Sequence, residues 1–180
     1  MTRSTQNGHP RGSPLPSTVQ TGRKQEAKVR SKAETLQLIV MILLAPLRVT
    51  ELRPPSHLQP REGDPLWQIG HAAFDACRAL VSAFDDEDET AVRFADHFHG
   101  KRNREPWNGE RPELFAVLEW WNEILSKAER TLANRSLTES LPDPVKFTAY
   151  TVHSLHEAYD YVLYHTSFHL GVAQGMIDRG

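Results

Sequence analysis

Apolar residues recur at steps of three and four along four stretches of the chain, which is the pattern of a helix with one buried face. No stretch alternates over several residues with β-branched enrichment, so no strand is predicted. Four amphipathic helices of this length bury their apolar faces best in an all-α four-helix bundle. The predicted helices run from Lys32 to about Leu52, from Pro65 or Leu66 to about Phe84, from Pro112 to about Ala133, and from about Thr148 to Asp178.

Prolines, glycines and charged runs separate these helices. Pro46 should bend or end the first helix, because proline removes a backbone donor and clashes with the preceding turn. The polar segment 85–111 predicts a long connection, with a short helix around Val92–Phe98. The sequence SLPDP at 140–144 predicts a break before the fourth helix.

Residues 1–30 are predicted to be a disordered basic tail, because Gly, Pro, Ser and Thr dominate them and no helical or strand period appears. Six basic residues and one acidic residue give the tail a formal charge of +5. It is either a tether for an anionic partner or a solvated extension. Residues 31–180 form the predicted helical domain, and a chain of 180 residues fits one such domain.

Charge and cysteine content narrow the class of protein. A net charge of −2 and a pI near 6.5 argue against nucleic acid as a partner. The lone Cys77 cannot form an intramolecular disulfide, which favours a reducing, cytoplasmic location. The apolar run 36–47 is shorter than the ~20 residues that span a bilayer, so we expect a buried first helix and no membrane partner, with a signal-anchor as the alternative.

Three of the nine histidines point to a metal site. His165 and His169, in the sequence HTSFH, share one helical face, and His169 falls on the apolar stripe of the fourth helix. His71 lies beside the apolar face of the second helix. Such a set is either a ligand group or a set of polar residues with ordinary hydrogen-bond partners. A divalent metal would satisfy all three buried rings at once. The other six histidines are predicted to be solvated: His9, His57, His97, His99, His153 and His156.

The depth of these histidines makes a prediction about topology. His71 lies roughly 9 Å from the start of its helix, and His165 and His169 lie roughly 14–20 Å from the end of theirs, at 1.5 Å per residue. These depths match when the second and fourth helices are antiparallel. An up-down-down-up bundle, with the 85–111 connection crossing over, satisfies that condition.

Two short motifs resemble a known family. The sequence WQIGHAAF at 67–74 is similar to a family pattern Trp-x-x-x-His, and HTSFHLG at 165–171 is similar to His-x-x-x-His-x-Gly. With the closing MIDRG at 176–180, residues 31–180 resemble the DinB-like (YfiT-like) metalloenzyme superfamily. The resemblance implies an up-down-down-up four-helix bundle and a nickel, zinc or iron site at His71, His165 and His169. One departure is Val172, where family members often have glutamine; here Gln174 comes two residues later.

Relatives in that superfamily include thiol S-transferases that use bacillithiol or mycothiol. The resemblance therefore implies a metal-dependent transferase or hydrolase of small molecules, with a low-molecular-weight thiol as cofactor. The alternative is a non-catalytic, stress-associated binding or dimerising bundle whose metal site is structural or vacant.

Supporting roles are predicted for several further residues. Asp75, one turn after His71, is expected to orient the His71 ring. Glu157, Asp160 and Tyr164 are either acid/base groups or surface residues. Trp120 and Trp121 are adjacent, so one is expected to be at least partly exposed, at a cleft mouth or a homodimer interface. Cys77 belongs to an apolar stripe and is expected to be an inert core residue.

Overall fold

The computed structural model describes residues 32–45, 52, 60–84, 89–90, 93–107 and 111–179. Residues 32–44 are helical and are called α1. The other helices are α2 (Pro65–Cys77), which continues into a π-helical turn (Arg78–Ser82), α3 (Ala95–Phe98), α4 (Leu114–Asn134) and α5 (Leu155–Ile177). Two 3-10 turns (Arg61–Gly63 and Gly100–Arg102) and two strands, β1 (Ser140–Lys146) and β2 (Thr151–Ser154), complete these elements.

Several sequence predictions lie outside the described residues. They are the tail at 1–30, the bend at Pro46, the end of the first helix beyond 45, and the solvated positions of His9 and His57.

The long helices begin where side chains can satisfy their free N–H groups. Asp64 caps α2, because its carboxylate accepts from the backbone N–H of Leu66 at 2.9 Å, and Pro65 takes the first helical position as predicted. The buried Asp64 also pairs with Arg111 at 2.7 Å. Ser154 caps α5 by accepting from Glu157 N–H, and the Glu157 carboxylate accepts from His153 N–H. These caps fix where α2 and α5 enter the core.

The helical character of the chain is confirmed, but the prediction that it has no strand is wrong, because β1 and β2 form an antiparallel hairpin and α5 begins at Leu155 instead of near Thr148. The pairs Ser140–Ser154 and Val145–Val152 place four residues of β1 opposite one residue of β2. Pro142 and Pro144 lie in this bulge and are exposed. Proline is tolerated at edges and bulges, where its missing N–H costs nothing. The sequence analysis interpreted these prolines as a break before the last helix, whereas they lie in a bulged strand.

Contacts between helices give the relative directions of three of them. Gln68 contacts His169, and Asp75 contacts Tyr161, so α2 and α5 are antiparallel, as the depth of the histidines requires. Along α2 and its π-helical turn, Ile69 meets Trp121, and Val81 shares a cleft with Thr131, so α4 runs in the same direction as α2.

Helix α1 lies against both α4 and α5. The Gln37 amide donates to Glu129 at 3.0 Å, and the Lys32 ammonium lies 3.6 Å from Asp160. The protein is thus mostly helical with one small sheet, and the complete up-down-down-up bundle stays a prediction.

Both adjacent tryptophans of α4 are fully buried, so the expectation that one would be at least partly exposed is wrong. Trp121 faces α2 and donates to the Ile69 carbonyl at 3.0 Å. Trp120 is covered by the segment before α4, donating to the Thr90 carbonyl at 2.7 Å and packing against Phe94 with ring centroids 5.2 Å apart. Neither ring is available for a surface interface. Cys77 is fully buried, as its apolar stripe predicts.

Within the described part of the chain, none of the helices combines the length and the apolar character needed to cross a bilayer.

We predict that Gly70→Ala destabilises the fold. A Cβ at Gly70 would overlap the ring of Phe98, which packs directly on this face of α2. Overpacking of this kind costs about 1–3 kcal/mol, which exceeds the ~1 kcal/mol that alanine gains over glycine in a helix. Denaturant unfolding of the two proteins measures the difference.

Gly171→Ala is the matched control, because the added Cβ has no neighbour within 4 Å on the exposed side of α5. This change should raise the free energy of unfolding by roughly 0.5–1 kcal/mol. Equal changes in the free energy of unfolding for Gly70→Ala and Gly171→Ala would contradict the packing of Phe98 on Gly70.

Candidate metal centre

The structure brings together the three predicted histidines. His71 comes from α2, and His165 and His169 come from successive turns of α5. One nitrogen of each ring lies within 4.8 Å of the others. The ring centroids are 5.1 Å apart for His71 and His165, 4.7 Å for His71 and His169, and 4.3 Å for His165 and His169. This cluster could bind a metal ion.

Hydrogen bonds at Nδ1 orient two of the rings. Nδ1 of His71 lies 2.9 Å from the Phe98 carbonyl oxygen, and Nδ1 of His169 lies 2.5 Å from Oε1 of Gln68. Both partner atoms are acceptors, so each ring carries its proton on Nδ1 and leaves Nε2 as the free lone pair. Gln68 is itself held, because its amide nitrogen donates to the Glu62 carbonyl at 2.6 Å. This arrangement is typical of metal-binding histidines.

The prediction that Asp75 orients His71 is not what the geometry shows, because the Phe98 carbonyl has that position. Asp75 Oδ2 instead lies 3.3 Å from Nε2 of His165 and 3.9 Å from Nε2 of His71. It also accepts from the Tyr161 hydroxyl at 3.0 Å. Asp75 is only 6% exposed. The carboxylate therefore faces the nitrogens that are free to bind.

Aromatic rings hold the histidines from two sides. Trp67 stacks on His71 with centroids 4.5 Å apart and 14° between the planes. Tyr161 stacks on His165 with centroids 5.0 Å apart. Because burial and then the Asp75 carboxylate raise its pKa, the Tyr161 hydroxyl keeps its proton and can donate to Asp75. The rings are thus packed in place on both sides of the centre.

The electrostatics of the cluster suit a metal ligand set. Burial lowers the pKa of His165 to about 4, opposed by Asp75 and assisted by His71. Burial, and then His71 and His165, lower the pKa of His169 to about 3. Both rings are neutral near pH 7, which metal binding requires. Nε2 of His165 is buried without a hydrogen-bond partner, so a metal bound there would satisfy it.

The cluster lies at a cleft of about 730 Å³. Its walls come from α2, from the turn after α3, from α5 and from the β1–β2 hairpin, whose Phe147 stacks on Tyr161 at 4.0 Å. A volume in this range is typical of small-molecule sites. The hairpin that sequence analysis missed therefore forms one wall of the candidate site.

Other predicted residues lie away from the centre. Asp160 and Tyr164 are exposed and Glu157 is used in capping, so none of the three lines the cleft. Gln174 donates to Asp178 at 2.6 Å instead of reaching the histidines, and Val172 is partly buried outside the cleft.

Three residues at the site were missed or misassigned. Gln68 precedes His71 by three residues on the same face of α2, so its spacing was an available signal. Tyr161 precedes His165 by four residues and offered the same signal. His99 was predicted to be solvated, but it lines the cleft with its ring 5.5 Å from that of Phe74. His153 and His156 are exposed, as predicted.

We predict that Gln68→Leu weakens metal binding about 10–100-fold, the usual effect of losing a partner that orients a ligating histidine. Leucine has nearly the volume of glutamine but cannot accept from Nδ1 of His169. Titration of Zn²⁺ against a chelator measures the affinity. Gln174→Leu, on α5 but outside the cleft, should leave the affinity unchanged. Equal affinities in all three proteins would contradict the role of Gln68.

We predict that the metal-free protein loses stability as the pH falls below about 6.5. The folded-state pKa values of about 4 and 3 lie below the 6.5 of an ordinary histidine, so the unfolded chain binds more protons in this window. The free energy of unfolding then falls by up to ~1.4 kcal/mol per pH unit for each ring. Denaturant unfolding at a series of pH values measures the slope.

Two double variants test whether these histidines cause the dependence of the free energy of unfolding on pH. His165→Gln/His169→Gln should flatten it, and His153→Ala/His156→Ala, on the exposed start of α5, should not. A slope that survives the first change would contradict the assignment of these pKa values.

Comparisons with protein-family models, with curated proteins and with solved structures found no match for this chain, so its resemblance to the DinB-like superfamily rests on the two motifs.

Proposed function

We propose that this protein is a metal-dependent enzyme that joins a low-molecular-weight thiol to a small electrophile. One observation carries the proposal: three imidazoles converge, with Nε2 of His71 and His169 left free, at a cleft large enough for a small molecule. A site with three protein ligands and access to a cleft is the arrangement of catalytic metal centres, which keep a position for substrate. The motifs at 67–74 and 165–171 support the same function by resemblance.

The fold and the metal that belong to this proposal follow the same resemblance, and the location follows from the lone Cys77. We propose an up-down-down-up bundle of the DinB-like superfamily, with nickel, zinc or iron held by His71, His165 and His169, in the cytoplasm. The antiparallel contact of α2 with α5 and the common direction of α2 and α4 support that topology.

The three histidines would hold the cation, and neutral ligands leave it with its full charge, which lowers the pKa of a nearby thiol or water. Asp75 Oδ2, 3.3 Å from Nε2 of His165, is placed to accept the proton that the thiol loses. The Tyr161 hydroxyl, 3.0 Å away, orients that carboxylate. In the reaction the S–H bond breaks, a sulfur–carbon bond forms, and the leaving group departs with its electron pair.

The alternative is a non-catalytic bundle with a structural metal, and one observation favours it. Asp75 lies near enough to the histidine nitrogens to serve as a fourth protein ligand. Structural sites are closed by four protein ligands. Val172, in place of the family glutamine, fits this alternative as well.

Metal content tests the site. Protein purified after growth with nickel, zinc and iron should contain close to one metal ion per chain. His165→Ala/His169→Ala should lose it, while the matched control His153→Ala/His156→Ala, two exposed histidines at the start of α5, should retain it. Equal metal content in the two double variants would overturn the assignment of the ligands.

Activity separates the two functions. Metal-loaded protein should accelerate the reaction of low-molecular-weight thiols with an aryl halide, followed as thioether formation. Asp75→Asn should keep the metal and lower kcat/KM roughly 100-fold, the lower end of the effect of removing a general base. Bound metal with no thioether formation from any thiol would favour the structural alternative. Loss of metal in Asp75→Asn would show instead that Asp75 is a ligand.

A further inference from the structure

The cleft is positively charged although the chain as a whole has a net charge of −2. Three cationic side chains line it: Arg78 from the π-helical turn, Lys101 from the turn after α3, and Lys146 from the end of β1. Among the described residues of the lining, Asp75 is the one acidic side chain, and it is buried. Three separate elements therefore direct positive charge to one opening.

Arg78 holds this arrangement together. Its guanidinium donates to the Lys146 carbonyl at 3.0 Å, which joins the hairpin to α2. It lies 4.9 Å from the centre of the Phe147 ring and 3.7 Å from Asp75 Oδ1. The charge of Arg78 is thus partly balanced by Asp75, but its contacts keep Lys146 at the edge of the cleft.

The two lysines differ from Arg78, because no acidic side chain among the described residues is paired with them. Lys101 and Lys146 are exposed, and neither pairs with an acidic side chain in the described ranges. The backbone of Lys101 is fixed, because its N–H donates to Nδ1 of His99 at 3.1 Å. Burial, followed by the charges of Arg78 and Lys101, lowers the pKa of His99, so this ring adds no positive charge of its own.

A second feature of the cleft is its aromatic wall. Phe147 stacks on Tyr161, and Tyr150 lies parallel to Tyr161 with centroids 6.3 Å apart. These rings line the hairpin side of the cleft, and Tyr161 also stacks on His165. A ligand that fits both ends needs a charged group at the edge, an apolar or planar middle, and a reacting group at the imidazoles.

We infer that the substrate is an acidic small molecule whose carboxylate binds at the basic edge formed by Arg78, Lys101 and Lys146. Positive charge concentrated in a cleft with apolar walls attracts an anion and orients it as it enters. The binding of the carboxylate depends only on these side chains. The further statement, that the same molecule presents a thiol to the histidines, rests on the proposed function.

The carboxylate site is tested first without metal, with succinate as the probe in calorimetric titrations. Wild-type protein should bind succinate, more weakly as salt is raised, and should not bind uncharged succinamide. Lys101→Ala/Lys146→Ala should weaken succinate binding about tenfold. Arg104→Ala/Arg130→Ala removes the same charge from exposed positions outside the cleft and should leave binding unchanged.

Two outcomes of that titration overturn the inference: no succinate binding by the wild-type protein, or equal weakening in both double variants. Equal weakening would show that succinate binding responds only to the net charge of the protein. Both variants change exposed side chains, so their thermal unfolding should match that of the wild type, and circular dichroism checks this point.

The link to catalysis is tested in the metal-loaded protein with two thiols. Mercaptosuccinate should react with a higher kcat/KM than 2-mercaptoethanol, and Lys101→Ala/Lys146→Ala should remove that preference. A preference that persists in the variant overturns the claim that carboxylate and thiol belong to one molecule. Succinate binding without reaction of either thiol supports the carboxylate site and removes the thiol-transfer function, so the two failures are distinguishable.

Discussion

The antiparallel contact between α2 and α5 is the constraint on which the candidate site depends. Gln68 meets His169 at one level and Asp75 meets Tyr161 two turns further along, so the two helices are in register over the whole centre. His71 lies between these levels and projects among the same side chains. A shift by one turn, ~5.4 Å, would separate the three imidazoles. Capping by Asp64 and by Ser154 with Glu157 holds each helix at its starting point and thereby preserves this register.

Each histidine of the cluster has a polar partner at Nδ1 on the side away from the centre. His169 is hydrogen-bonded to Gln68, whose amide donates to the Glu62 carbonyl, and His71 is hydrogen-bonded directly to the Phe98 carbonyl. Nδ1 of His165 lies 3.5 Å from the Tyr161 hydroxyl, and its Nε2 is buried without a hydrogen-bond partner, with Asp75 Oδ2 3.3 Å away. A buried group without a partner is costly in a finished fold. A cation bound at Nε2 of His165 would remove that cost.

Sequence analysis predicted the long helices and the three histidines because both depend on spacing along one helix. The spacing of apolar residues identified the buried faces of α2 and α5. The distance of the histidines from the ends of their helices predicted that the two helices are antiparallel. The hairpin was missed because Pro142 and Pro144 are local signals for a break in secondary structure. A strand can contain them here because they lie in a bulge, which depends on the pairing of β1 with β2. The burial of Trp120 was missed for a similar reason, since the segment that covers it is distant in sequence. Lys101 comes from a turn and Lys146 from the end of a bulged strand, so neither of these cleft residues has a helical period that would have placed it at the site.

Phe98 joins two parts of the molecule that sequence separates. Its ring packs on Gly70 and its carbonyl oxygen orients His71, so the position of the 93–107 segment decides the direction in which one histidine points. The same segment carries His99 and Lys101 at the opening of the cleft. A ligand that ordered this segment would also order His71, and by linkage an ion at the histidines would tighten binding at the opening by the same factor. The two ends of the cleft would then be coupled through the segment that carries Phe98 and Gly100, both of which lie against His71.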